Sequence, residues 1–131
     1  MKGRVFLVVM DSVGIGGAPD ADHYFNDGVP DTGANTLLHI AEACAMGKAD
    51  VNRTGPLWLP HLGALGLGNA VELSVNKIAP GVDPISCGTW GVARQTSRGK
   101  DTPSGHWELA GLPVDWDWHY FKDEIQSFPQ D

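Results

Sequence analysis

Reactive side chains are concentrated between residues 97 and 108, which read Ser-Arg-Gly-Lys-Asp-Thr-Pro-Ser-Gly-His-Trp-Glu. Pro103 suits the first position of a helix, because its missing N–H would have no partner there. Thr102 would then be the N-cap or lie close to it, beside unpaired backbone N–H groups and the positive end of the helix dipole. Such a position favours phosphate. The segment therefore predicts a threonine hydroxyl that carries a phosphoryl group at the start of a helix.

The neighbours of Thr102 are candidates for contact with phosphate or substrate: Lys100, Asp101, Ser104 and His106. Lys100 and Arg98 are cations that could hold a phosphoryl group. His106 could donate to phosphate or bind a metal, although its spacing of four from Thr102 also suits packing on a helix face. The alternative for Thr102 itself is a purely structural helix cap.

A second candidate position follows the apolar run from Arg4 to Met10. This run predicts a strand buried on both faces, as in a parallel sheet covered by helices. Ligands of open α/β sheets bind at the carboxyl ends of strands, which is where Asp11 and Ser12 would lie. Because a threonine hydroxyl needs a base or a metal to react, Asp11 is a candidate metal ligand. Its alternative is an aspartate that starts a turn.

Spacing excludes the common nucleotide and calcium motifs. The glycines after Gly14 depart from GxGxxG, because Pro19 takes the last position. Around Lys100 the phosphate-binding loop pattern fails twice, since Arg94 replaces its first glycine and Asp101 follows the lysine. The aspartates between residues 20 and 27 lack EF-hand spacing.

Further elements are predicted from periodicity. Residues 35–46 indicate a helix with Asn35 as N-cap and Gly47 as its stop. Its predicted apolar face comprises Leu37, Ile40, Ala41 and Cys44. A short helix is expected after Pro60. The remaining expectations are a surface loop at 20–33, a loop with short strands at 68–86, and a strand at 87–95.

The composition indicates one ordinary soluble domain. The 131 residues carry a formal net charge of −7, which argues against nonspecific nucleic-acid binding. Cys44 and Cys87 lack metal-site spacing and fit free thiols in a reducing cytoplasm, with one disulfide as the alternative. Neither a signal peptide nor a membrane span is indicated, so we expect a cytoplasmic protein without membrane partners.

Four collinear segments of the sequence resemble phosphopentomutase, a family of alkaline-phosphatase-like metalloenzymes. They are residues 8–16, 35–42, 65–69 and 99–108. The last of these, Gly-Lys-Asp-Thr-x-x-Gly-His-Trp-Glu, is the most specific, and the strand followed by Asp-Ser-x-Gly-Ile-Gly supports it.

The resemblance implies an isomerase that interconverts ribose 1-phosphate and ribose 5-phosphate, and likewise the deoxyribose phosphates. It implies a phosphothreonine at Thr102, a bisphosphate intermediate, and a sugar bisphosphate as activator. Two divalent metal ions, expected to be manganese, would hold the reacting group through Asp11 and the phosphoryl group on Thr102. Another alkaline-phosphatase-like mutase or phosphatase, and a non-catalytic binding module, are the alternatives.

The implied fold is α/β, the N-terminal part of an alkaline-phosphatase-like core with a parallel-rich sheet between helices. Residues 1–118 would belong to this core and 119–131 would begin a cap domain, so the chain would end before the cap and the C-terminal half of the core. The remaining metal ligands would lie beyond this chain. We therefore expect the chain alone to be inactive and to self-associate through uncovered core surface.

Overall fold

The computed structural model describes residues 3–121, which divide between two units. Within the described residues, the first unit contains residues 3–16 and 33–92, and the second contains residues 17–32 and 93–121. Helices and one short hairpin make this a small α/β structure. Most of the predicted beginning of a cap domain, at 119–131, lies outside the described residues.

The first unit is organised around helix α1, Thr36–Ala45. Asn35 is its N-cap, as predicted: the side chain accepts a 2.9 Å hydrogen bond from Leu38 N and donates one of 2.9 Å to Ile15 O. The second bond ties the segment after residue 10 to the helix start. The buried residues of α1 are Leu37, Leu38, Ala41 and Cys44. The predicted face is thus correct except that Leu38 is buried and Ile40 is exposed.

Two further helices complete the packing of this unit, α2 at Pro60–Ala64 and α3 at Leu67–Val75. The α2 helix confirms the prediction after Pro60. The prediction of a loop with short strands at 68–86 is wrong for its first half, because residues 68–75 belong to α3 and Val71 is fully buried. The buried core comprises Leu37, Leu38, Ala41, Val71, Ala79 and Val82. Small residues at the start of α3 hid its amphipathic pattern.

The predicted buried strand at 4–10 is wrong for the described structure. No strand is assigned there, and Val5 is 97% exposed. The predicted strand at 87–95 is also absent. A parallel strand takes its hydrogen bonds from neighbouring strands, and none pairs with either segment among residues 3–121. The predicted parallel-rich sheet is therefore not found in the part of the chain that the structure describes.

The second unit contains a short hairpin within the predicted loop at 20–33. After a 3₁₀ turn at Ala21–His23, strand β1 (Phe25–Asn26) pairs antiparallel with β2 (Val29–Pro30). Asp27 and Gly28 both have positive φ, of 48° and 78°, as a two-residue hairpin turn requires.

The same unit holds helix α4, Thr102–Leu109. The chain on either side of α4 is joined by hydrogen bonds, since Arg98 N donates to Val114 O at 2.9 Å and Val114 N donates to the Ser97 hydroxyl at 3.0 Å. Both Val114 and Ser97 are buried. The helix that carries Thr102 is therefore held between two connected segments.

Candidate active site

The N-cap of α4 is Asp101, and Thr102 is the first helical residue. The Asp101 Oδ1 atom accepts a 2.8 Å hydrogen bond from Ser104 N. Pro103 has no N–H, so the carboxylate satisfies the amide that most needs a partner in the first turn. Its charge also complements the positive end of the helix dipole. The predicted helix is confirmed, but it begins one residue earlier than predicted: Pro103 is its second residue rather than its first, and the residue that caps it is Asp101.

A buried hydroxyl connects this cap to the segment after the helix. Ser104 is fully buried, and its Oγ lies 2.9 Å from Asp101 Oδ2 and accepts a 2.7 Å bond from the Trp118 indole N–H. Tyr120 adds a second connection: its hydroxyl donates to Asp101 Oδ2 at 3.1 Å and accepts from Lys100 N at 3.0 Å. Hydrogen bonds to both carboxylate oxygens therefore fix Asp101, the residue before the candidate nucleophile.

The ionisation of Tyr120 reflects these surroundings. Burial raises the pKa of the Tyr120 phenol, the Lys100 N–H opposes that increase, and the Asp101 carboxylate adds to it. The phenol therefore stays protonated at neutral pH and remains a donor to Asp101.

Gly99 allows these groups to come together. Its φ is +98°, and a Cβ at this position would lie 2.7 Å from the Tyr120 hydroxyl, 2.8 Å from Asp101 Oδ2 and 2.9 Å from Trp118 Cδ1. A side chain at residue 99 would thus disrupt the hydrogen bonds that fix the helix start.

Glu108, near the end of α4, holds the segment that leads into the helix. One carboxylate oxygen accepts from Thr96 N at 2.8 Å and Thr96 Oγ at 2.9 Å, and the other accepts from Ser97 N at 2.7 Å. The adjacent Ser97 side chain, followed by hydrogen bonds from the Thr96 and Ser97 amides, lowers the pKa of Glu108 to about 2. The carboxylate is therefore ionised throughout the neutral range.

Thr102 is an exposed residue, and no hydrogen bond to its hydroxyl is found within residues 3–121. His106 lies one turn along α4, with Nδ1 2.9 Å from Thr102 O, which fits a ring N–H donated to that carbonyl. An open pocket of about 190 Å³ adjoins the helix start, lined by Asp101, Pro103, Trp118, His119 and Tyr120. Thr102 is therefore exposed, and its two chain neighbours, rather than Thr102 itself, line this pocket.

Both candidate cations for a phosphoryl group lie near carboxylates. Lys100 Nζ forms an ion pair with Asp31, and both side chains are partly buried. Arg98 lies 3.5 Å from Asp117 in an exposed pair. A phosphoryl group on Thr102 would compete with these carboxylates for Lys100 or Arg98.

Asp11 and Ser12 belong to the first unit, whereas the other predicted site residues belong to the second. Both are exposed, and Ser12 has a positive φ of 61°. No three His, Cys, Asp or Glu side chains within residues 3–121 come together as a metal-binding group. The described residues therefore bring together no such group around Asp11.

Glu108, Trp118 and Tyr120 were not predicted as site residues. Trp118 and Tyr120 contact the helix start across 14 and 19 positions of the chain. Glu108 belongs to the specific segment at 99–108, but spacing does not reveal its partners at residues 96 and 97. Trp118 also stacks edge-to-face with Trp107 and Trp116, at centroid distances of 6.2 and 5.9 Å.

No helix among residues 3–121 combines the length and the apolar character that crossing a membrane requires. No family model matches the chain, and no solved structure matches it.

Curated proteins do match, over nearly the whole chain. The phosphopentomutase of Hahella chejuensis is 57% identical over 129 residues, which is 96% of this chain and 30% of that protein. The phosphopentomutases of Photorhabdus laumondii and Yersinia enterocolitica are 54% and 53% identical, over 97% and 98% of this chain. The chain spans about 30% of the length of these relatives. By sequence, the chain belongs to the phosphopentomutase family.

Proposed function

We propose that the protein to which these residues belong is a phosphopentomutase, in which Thr102 accepts and returns the phosphoryl group. The substrates would be pentose phosphates, ribose 1-phosphate and ribose 5-phosphate and their deoxyribose counterparts. The observation that carries the proposal is the identity of 57% with a curated phosphopentomutase across a segment that contains the exposed Thr102.

The surroundings of Thr102 support its role as the phosphoryl acceptor. Thr102 is an exposed residue, whereas Ser104, the other hydroxyl-bearing residue on α4, is fully buried and its hydroxyl is hydrogen-bonded to Asp101 and Trp118. A buried hydroxyl with both bonding capacities used cannot reach a phosphorus atom. The open pocket at the start of α4 is lined by Asp101 and Pro103, the two chain neighbours of Thr102.

In the proposed cycle, phosphorylated Thr102 transfers its phosphoryl group to the free hydroxyl of a pentose monophosphate. The Oγ–P bond breaks as the bond from phosphorus to the sugar oxygen forms, and the proton of the sugar hydroxyl passes to Thr102 Oγ. Thr102 Oγ then attacks the other phosphorus atom of the resulting bisphosphate, and its proton passes to the sugar oxygen that is released, so that the 1-phosphate is exchanged for the 5-phosphate and Thr102 is phosphorylated again. The described residues contribute by orientation: Asp101, Ser104 and Glu108 hold the backbone on both sides of the nucleophile.

Two divalent cations, which we propose to be manganese, would neutralise charge on the phosphoryl oxygens. We propose Asp11 as a ligand, together with the phosphoryl group on Thr102. Ser12 and His106 are proposed neighbours of the bound phosphate.

Phosphorylation of Thr102 is the direct test. The complete protein that contains this sequence is incubated with ribose bisphosphate, and its intact mass and phosphopeptides are measured together with mutase turnover. We expect one phosphate on Thr102. The Thr102→Ala variant should carry none and should lose turnover by several orders of magnitude, because it has no nucleophile.

Two matched variants make this test specific. Thr102→Ser keeps a hydroxyl and should retain phosphorylation, whereas Ser104→Ala should leave the Thr102 phosphopeptide detectable. Full turnover in Thr102→Ala would contradict the proposal. Phosphate on Thr102 with hydrolysis but no isomerisation would instead favour an alkaline-phosphatase-like phosphatase.

A further inference from the structure

The carboxylate of Glu108 reaches back over twelve positions to the segment that precedes α4. Its two oxygens accept three hydrogen bonds, two from Thr96 and one from Ser97, all between 2.7 and 2.9 Å. The residues from 96 to 108 therefore form a closed loop with Thr102 near its middle.

Helix stability does not explain a glutamate at this position. Glu108 lies in the last turn of α4, where the negative end of the helix dipole disfavours a carboxylate. The favourable interactions are the bonds to Thr96 and Ser97, since hydrogen bonds to a charged group are stronger than neutral ones. The position of Glu108 is therefore explained by its hydrogen bonds to Thr96 and Ser97 and not by the stability of α4.

Glu108 is coupled to the helix start through the backbone. Ser97 is buried and also accepts from Val114 N, while Arg98 N donates to Val114 O. Gln95 adds a 2.9 Å bond from its side-chain amide to Gly99 O. The path from Glu108 to the residue before Asp101 is therefore hydrogen-bonded at almost every position.

We propose that Glu108 is a positioning residue for Thr102: by holding the amides of Thr96 and Ser97, it fixes the approach of the chain to the nucleophile. The inference rests on the proposed function. Glu108 itself would not contact the substrate, and its effect would be on the rate of transfer to Thr102 rather than on substrate binding.

Variants at Glu108 differ in how many of the three donors they satisfy. Glutamine keeps one carbonyl oxygen but presents an NH₂ group to the donors on the other side. Alanine leaves all three donors without this partner. If Glu108 positions Thr102, the rate of Thr102 phosphorylation should be highest in the wild type, lower in Glu108→Gln and lowest in Glu108→Ala.

The experiment measures the rate of Thr102 phosphorylation by ribose bisphosphate, and kcat and KM for ribose 5-phosphate, in the complete protein. All rates are divided by the folded fraction from circular dichroism at the assay temperature. We expect a loss of about 10-fold to 100-fold in phosphorylation rate and kcat for Glu108→Ala, a smaller loss for Glu108→Gln, and KM within about twofold of wild type. Glu72→Gln, at an exposed position of α3, should change neither rate.

The outcomes separate this inference from the proposed function. If the wild type phosphorylates Thr102 and Glu108→Gln does so at the same rate per folded molecule, the positioning role is overturned. A loss confined to KM would also overturn it. A wild type that never carries phosphate on Thr102 would overturn the proposed function, and this inference with it.

Discussion

The indole N–H of Trp118 donates a 2.7 Å hydrogen bond to the hydroxyl of Ser104, which is fully buried in the first turn of α4. The same hydroxyl lies 2.9 Å from Asp101 Oδ2. Since a hydroxyl has one donor, it donates to the carboxylate and accepts from the indole. The chain after α4 is thus joined directly to the residue that caps it.

Replacing Ser104 with alanine is predicted to destabilise the second unit. The change leaves the Trp118 N–H without its partner and removes one donor to Asp101, which should cost about 1–3 kcal/mol of unfolding free energy. Urea unfolding followed by tryptophan fluorescence measures the difference. Ser86→Ala, at a partly exposed position, is the matched control, and an equal loss in both variants would refute the role given to the Ser104 hydroxyl.

Asp101 provides a second prediction, which concerns the helix cap. Asp101→Ala removes the acceptor of the Ser104 amide and should destabilise the protein by about 1 kcal/mol or more. Asp101→Asn keeps an acceptor for that amide and should recover part of the loss, although its NH₂ group cannot accept from Tyr120. Thermal unfolding compares the two, with exposed Asp115→Ala as control. Equal melting temperatures for the alanine and asparagine variants would contradict the capping geometry.

The hydrogen bonds of Glu108 predict that the free energy of unfolding depends on pH in the acid range. Its pKa is lowered from 4.5 to about 2 in the folded protein by the bonds from Ser97 and Thr96. A lowered folded pKa stabilises the protein above the unfolded pKa, and this contribution is lost as pH falls from 4.5 towards 2. The difference in unfolding free energy between wild type and Glu108→Gln should therefore narrow over that range.

Urea unfolding at a series of pH values between neutrality and pH 2 tests this expectation. Glu72→Gln controls for the loss of one exposed negative charge. A wild-type advantage over Glu108→Gln that stays constant down to the lowest pH would show that the Glu108 carboxylate does not hold Thr96 and Ser97 as described.

Local signals in the sequence were sufficient for helices with clear ends. Asn35 and Gly47 correctly marked the two ends of α1, because a cap and a stop act within a few residues of the helix. Pro60 indicated α2 for the same reason. By contrast, the apolar run at 4–10 indicates burial, but pairing into a sheet depends on distant strands that a local pattern does not specify.

The candidate site shows the same difference between local signals, which the sequence reveals, and long-range contacts, which it does not. Thr102 was identified near a helix start from one segment, because helix-start signals are local, but the capping role of Asp101 was not predicted. The partners that fix both residues were not identified either, since Trp118, Tyr120 and the bonds of Glu108 are brought together only by the path of the chain. Hydrogen bonds across 12 to 19 positions leave no periodic signal in the sequence.

A pair of glycines in neighbouring helices tests the packing of the first unit. A Cβ at Gly68, in α3, would lie 2.5 Å from the carbonyl oxygens of Val82 and Asp83, whereas a Cβ at Gly63, in α2, would meet nothing within 4 Å. Because backbone atoms cannot move aside cheaply, Gly68→Ala should cost about 1–3 kcal/mol. Gly63→Ala should instead stabilise the protein by about 0.5–1 kcal/mol, since alanine favours a helix. Urea unfolding of both variants measures the opposite signs, and a stabilising Gly68→Ala would contradict the close packing of α3 against the segment that carries Val82.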